Sequence, residues 1–108
     1  MERSLDEIQR SVDEWIQKNG GYWSPLGMLA AITEELGEIS REILHLTSTK
    51  PKKSTETSES LESELGDLLY AIICIANSYN ISLDNAIALS MKKYESRDKN
   101  RFSKNKKE

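Results

Sequence analysis

Glu35-Leu36-Gly37-Glu38 and Glu64-Leu65-Gly66-Asp67 are two nearly identical acidic phrases, and their reading decides the fold. In a helix, at about 100° per residue, acids three apart lie on neighbouring ridges, so each phrase aims two carboxylates in one general direction. Two such helices side by side gather four. Four carboxylates in one pocket repel one another and raise their own pKa values, so the cluster makes physical sense mainly around a cation. The simplest oxygen-preferring cation is Mg²⁺, with Mn²⁺ as a substitute. Otherwise paired acids on a helix are a solvated face. Each phrase also carries a glycine, Gly37 or Gly66, which costs on the order of 1 kcal/mol mid-helix relative to alanine. Its recurrence predicts a close approach of backbone, side chain or ligand beside the second acid.

Outward from the phrases, the pattern is helical throughout. Ser4 with Glu7 three residues on forms a capping signal, and Leu5, Ile8, Val12, Trp15 and Ile16 recur at helical spacing until Gly20-Gly21. Ser24-Pro25 opens a second helix over residues 25 to about 46, with Leu29, Ile32, Leu36, Ile39 and Ile43 as the expected buried stripe. Glu35 falls at the border of that stripe and Glu38 one ridge further out. Residues 47 to 60, rich in Ser and Thr, predict a surface loop that moves when substrate binds. A third helix is expected over residues 58 to 79. It places Glu64 and Asp67 against Leu65 and Leu68 as Glu35 and Glu38 stand against Leu36 and Ile39. Asn80-Ile81-Ser82 breaks the chain before a fourth helix over residues 83 to about 97. An all-α, four-helix-bundle-like fold follows, in which antiparallel packing of the second and third helices lets the four acids converge.

The chain has 108 residues, 37% hydrophobic and 31% charged, with a net charge of −3. This suits one domain over residues 1–98 with a modest core, completed by association into a homodimer or homotetramer. The apolar run 68–76 is too short to span a membrane, and the acidic N-terminal segment lacks the basic start of a signal peptide. A cytoplasmic protein without a membrane partner is expected. Cys74, the single cysteine, reads as a buried, non-nucleophilic thiol. Residues 99–108 form a basic tail; with an acidic body and few aromatics beside it, nucleic-acid binding is not expected, and a frayed, solvated end is. Glu42-Ile43-Leu44-His45 is a Glu-x-x-His motif. As His45 is the only histidine, a symmetric di-iron set cannot be built, and a surface histidine near a helix end is the simpler reading.

The run Glu34-Glu35-Leu36-Gly37-Glu38, a spacer from 39 to 63, then Glu64-Leu65-Gly66-Asp67-Leu68-Leu69-Tyr70 resembles the MazG-type nucleoside triphosphate pyrophosphohydrolases of the all-α NTPase superfamily. That family's signature is Glu-x-x-Glu, a spacer, then Glu-x-x-Asp, and the resemblance spans most of the chain. Lys93-Tyr94-Glu95-Ser96-Arg97 resembles a Lys-aromatic-x-x-Arg pattern that the family carries near its C-terminal end. The resemblance implies hydrolysis of a nucleoside triphosphate between its α and β phosphates, to a monophosphate and pyrophosphate, as in house-cleaning of nucleotide pools. It implies Mg²⁺ on Glu35, Glu38, Glu64 and Asp67, with catalytic roles for Glu35, Glu38, Lys93 and Arg97, the last two as cationic partners of the phosphates.

Base recognition is less legible. Trp15 and Trp23 flank the Gly20-Gly21 turn; Trp15 belongs by its spacing to the core, whereas Trp23, in a loop, is a candidate to touch ligand or a partner subunit. Asn77, a polar residue ending an apolar helix, needs hydrogen-bond partners that ligand or backbone could supply. The non-enzymatic alternative is a helical dimerisation or regulatory module whose acids serve solubility; it accounts for the composition but not for the repeated phrase.

Overall fold

A computed structural model describes residues 3–47 and 60–106, with side chains described as far as 99. Its elements are four helices: α1 (Leu5–Lys18), α2 (Pro25–Leu46), α3 (Leu61–Ser78) and α4 (Leu83–Lys106). The expected all-α class holds. The anticipated loop falls, apart from its ends, on residues 48–59, outside the described set.

Local chemistry sets the helix boundaries. Ser4 and Glu7 close a reciprocal capping box at the start of α1. Gly20 (φ 112°) and Gly21 (φ 88°) occupy left-handed conformations that L side chains rarely adopt, so the helix cannot continue through them. Ser24 accepts from the Gly27 amide at 3.1 Å, with Pro25 in the first turn of α2. Ser60 caps α3 through the Ser63 amide at 3.0 Å, so that helix begins slightly later than expected. Asn80, at φ 57°, turns the chain toward α4. That last helix is longer than its apolar pattern suggests: in place of a frayed end after Arg97, it continues to Lys106.

Packing is dominated by α2 against α3, with α1 laid across α3 and touching α4. The buried apolar residues are Met28 and Ile39 from α2, and Ile73 and Ala76 from α3. Gln9, itself buried, ties α1 to the α3–α4 turn. Its Nε2 donates to Asn77 Oδ1 (2.9 Å) and the Ile81 carbonyl (2.8 Å), its Oε1 accepts from the Leu83 amide (2.8 Å), and Asn77 Nδ2 donates to its carbonyl (2.9 Å). From α4, Asp84 accepts from the Leu5 and Asp6 amides, where a carboxylate meets the exposed donors and positive end of α1.

The stripe expected on α2 is corrected. Ile39 is buried, but Leu29 (56%), Leu36 (54%) and Ile43 (45%) are exposed, while Met28, Ile39 and Glu42 are the residues α2 buries. The helix is apolar on two faces, and the face turned to α3 is rotated toward the acids. On α3, likewise, Glu64 is buried and Leu65 is 50% exposed. The glycine expectation also changes: a Cβ on Gly37 or Gly66 would meet nothing within 4 Å, so no contact among the described residues accounts for either.

Candidate functional site

The acidic phrases meet between α2 and α3. Carboxylate oxygens of Glu35, Glu64 and Asp67 lie within 4.8 Å of one another. Glu38, half-buried one turn along α2, is not among the three but is close enough to act on Glu35. Glu64 is 2% exposed, Glu35 is half-buried, and Asp67 faces solvent.

Electrostatics makes this arrangement costly without a counter-charge. At such separations each like pair costs on the order of 3 kcal/mol at an effective dielectric of 20, and less where Asp67 faces water. Burial pushes the Glu35 carboxyl above its ordinary 4.5, and the charges of Glu38, Asp67 and Glu34 push it further. Its Oε2 is buried with no hydrogen-bond partner. An all-oxygen set with an orphaned buried acceptor fits a hard divalent cation such as Mg²⁺, which would take up the repulsion and the open lone pairs together.

Beside the carboxylates opens a cavity of about 480 Å³. Glu35 and Asp67 stand at its polar side; Trp15, Tyr22, Trp23, Met28, Tyr70 and Cys74 make most of the rest. The register explains it: Met28, Ala31 and Glu35 on α2 run antiparallel to Asp67, Ala71 and Cys74 on α3, one ridge of each helix. An acidic cluster opening onto an aromatic hollow suits a ligand with an anionic, metal-bound end and a flat apolar end.

The sequence-derived residues are distributed unevenly. Trp23 is 70% exposed and lines the cavity. Trp15, expected in the core, is 59% exposed and lines the same cavity. Cys74 is half-buried in the cavity wall rather than in the core, and burial raises its thiol pKa, consistent with an inert thiol. Asn77 does not line the cavity; both ends of its amide engage Gln9. Lys93 and Arg97 are exposed on α4, 4.9 and 4.4 Å over the Tyr94 ring, and Arg97 also pairs with Asp98 at 3.1 Å. Within one chain they are not brought to the cavity. His45 is no surface residue: its side chain is 6% exposed, with Nδ1 4.0 Å from Glu42.

Sequence reasoning missed Tyr22, Met28 and Tyr70. The signal for the last two was available, since Tyr70 is three residues beyond Asp67 and Met28 seven before Glu35, on the ridges that carry the acids. Tyr22 sits in a loop, where periodicity carries no information.

The chain matches the profile of the MazG nucleotide pyrophosphohydrolase domain over residues 23–102. It is 46% identical over 104 residues to the uncharacterized protein YpjD of Bacillus subtilis strain 168, covering 95% of this chain and 94% of that one. The crystal structure of YpjD from Bacillus subtilis superposes with a TM-score of 0.77 at 45% identity, over 87% of this chain and 97% of that one. The crystal structure of a Bacillus-conserved MazG protein, a nucleotide pyrophosphohydrolase, superposes with a TM-score of 0.74 at 40% identity, over 92% of this chain and 97% of that one.

Proposed function

This chain belongs to the MazG family of nucleotide pyrophosphohydrolases, and on that premise we propose that it hydrolyses nucleoside triphosphates to monophosphate and pyrophosphate with Mg²⁺, in the cytoplasm, as a homodimer or homotetramer. The observation that carries the reading is the meeting of three carboxylates, one with a buried, unbonded oxygen, at the mouth of an aromatic cavity.

Glu35, Glu64 and Asp67 would hold the cation, with Glu38 beside them. A Mg²⁺ ion held by these carboxylates would supply charge neutralisation for the phosphates and activation of a water. The chain's own residues do the rest. The cavity takes the nucleobase against Trp15, Trp23 and Tyr70, and so sets the triphosphate toward α2 and α3. The α–β anhydride bond breaks as water adds across it; the proton released passes to a carboxylate of the cluster that is not fully engaged, for which Glu35 and Glu38 are suited by proximity. Lys93 and Arg97 are proposed as cationic partners of the phosphates, which requires α4 to meet the carboxylates through assembly with another copy.

Support for assembly comes from the small core and the apolar side chains left exposed on α2 and α3, Leu29, Leu36, Ile43, Leu65 and Leu69. The activity is tested by measuring pyrophosphate and monophosphate from ribo-, deoxyribo- and oxidised nucleoside triphosphates with Mg²⁺, Mn²⁺ or chelator. Metal-dependent, equimolar release supports the proposal; silence across the panel rejects it. Glu38→Gln and Asp67→Asn should each abolish both release and stabilisation by metal, and retention of both responses would reject the metal site.

A further inference from the structure

Tyr22 stands between two hollows, lining one and bonded to a residue that lines the other. It lines the cavity beside the carboxylates, whereas Asp13 and Asn77, the groups around its hydroxyl, line a second, polar hollow of about 400 Å³ with Gln9. Its hydroxyl donates to Asp13 Oδ1 at 2.6 Å, a short charge-assisted bond. Burial and that bond push the phenol pKa up to about 12 against an opposing contribution from Asn77, so the hydroxyl stays protonated as a donor at neutral pH. The polar end of this residue is therefore turned away from the cavity, bonded to Asp13 of α1 with Asn77 of α3 beside it.

We propose, resting on the reading of the cavity as a nucleobase site, that Tyr22 is a positioning residue: a wall clamped from behind by Asp13, which offers the base a ring and withholds its hydroxyl. The Gly21 amide donates to the Ile16 carbonyl at 2.9 Å and ties the start of the loop to α1; beyond it the Tyr22–Asp13 bond takes over. Gly20 and Gly21 precede Tyr22 in left-handed conformations with no neighbour within 4 Å of a Cβ, and Trp23 follows it largely exposed. The segment that carries two aromatic walls is thus held in its middle by the Tyr22–Asp13 bond. Asn77 cannot replace Tyr22 as a reader of the base, because it does not line the cavity and both ends of its amide engage Gln9. The base is held by stacking and shape, and losing the clamp weakens purine and pyrimidine alike.

The test uses the full chain and the reaction's monophosphate products, AMP and CMP, titrated in Mg²⁺ against the fluorescence of Trp15 and Trp23. Tyr22→Phe is expected to weaken both by about 3- to 10-fold, the range of one hydrogen bond, and Asp13→Ala should do the same. Asp13→Asn, which keeps an acceptor oxygen but loses the charge, should weaken binding less than Asp13→Ala. In turnover, KM for triphosphate should rise more than kcat falls, while stabilisation by Mn²⁺ alone stays unchanged, which a general loss of structure would not leave intact. Superimposable wild-type and Tyr22→Phe titrations, or equal losses in Asp13→Asn and Asp13→Ala, overturn the proposal. So does a wild type that binds neither monophosphate. A wild type that binds AMP but releases no pyrophosphate from any triphosphate sinks the catalytic reading alone and supports the cavity assignment on which Tyr22 depends.

Discussion

Glu35 is the residue at which stability and function oppose each other. Its carboxyl is raised above 4.5 by burial first and by neighbouring acids second, so the folded, metal-free chain holds the proton more tightly than the unfolded chain. The sign follows: the stability from this group is complete in acid, below the ordinary carboxylate value, and is lost as pH rises through the raised one. Cation binding needs the deprotonated form, so the melting-temperature increase caused by Mn²⁺ should grow over the same pH interval. Glu35→Gln should raise the melting temperature of the metal-free protein at pH 7 and remove the Mn²⁺ increase; calorimetry with and without chelator reads both. Asp67→Asn, which removes a proposed ligand rather than an outer-shell partner, should lower pyrophosphate release by well over ~100-fold, abolishing it in the release assay. The acids themselves were legible in the sequence because charge at i and i+3 has a direction. The cavity's aromatic wall was legible only in part: Trp23 stood out in its loop, Trp15 was misplaced into the core, and Tyr22 had no periodic neighbour to mark it.

At the scale of the element, helix boundaries follow from caps and breakers, and α2 was placed at both ends by Ser24, Pro25 and the change of composition after Leu46. Faces are harder. Helix α2 carries apolar residues around much of its circumference, so a wheel yields two candidate stripes, and contact with α3 selects the one containing Met28, Glu35 and Ile39. The paired glycines belong to the same lesson. Because none of the described residues approaches Gly37 or Gly66, Gly37→Ala should stabilise the metal-free protein by about 0.5–1 kcal/mol through helix propensity, as measured by urea unfolding. A loss of stability in its place would mean that a second copy packs against that position.

The whole molecule has a small interior for its apolar content. Four apolar residues are buried among those described, while Leu29, Leu36 and Ile43 on α2 and Leu65, Leu69 and Ile72 on α3 remain at least 36% exposed. A second copy is the proposed cover. Light scattering should give at least a dimer, with a melting temperature that rises with protein concentration, and Leu36→Glu combined with Leu65→Glu should shift the protein to monomer. A monomeric wild type at micromolar concentration would refute assembly. By itself the sequence determined the presence and order of the four helices, the caps at Ser4 and Ser24, the family and the two acidic phrases, because each is written in local spacing and backbone preference. Only the tertiary structure decided which face of α2 is inside, that Glu38 stands apart from the other three acids, that Asn77 is spent on Gln9, and that Tyr22 and Trp15 wall the cavity. Those outcomes depend on how two helices rotate about their own axes when they pack, and on where a six-residue turn carries its rings, neither of which is encoded at the distance of a few residues.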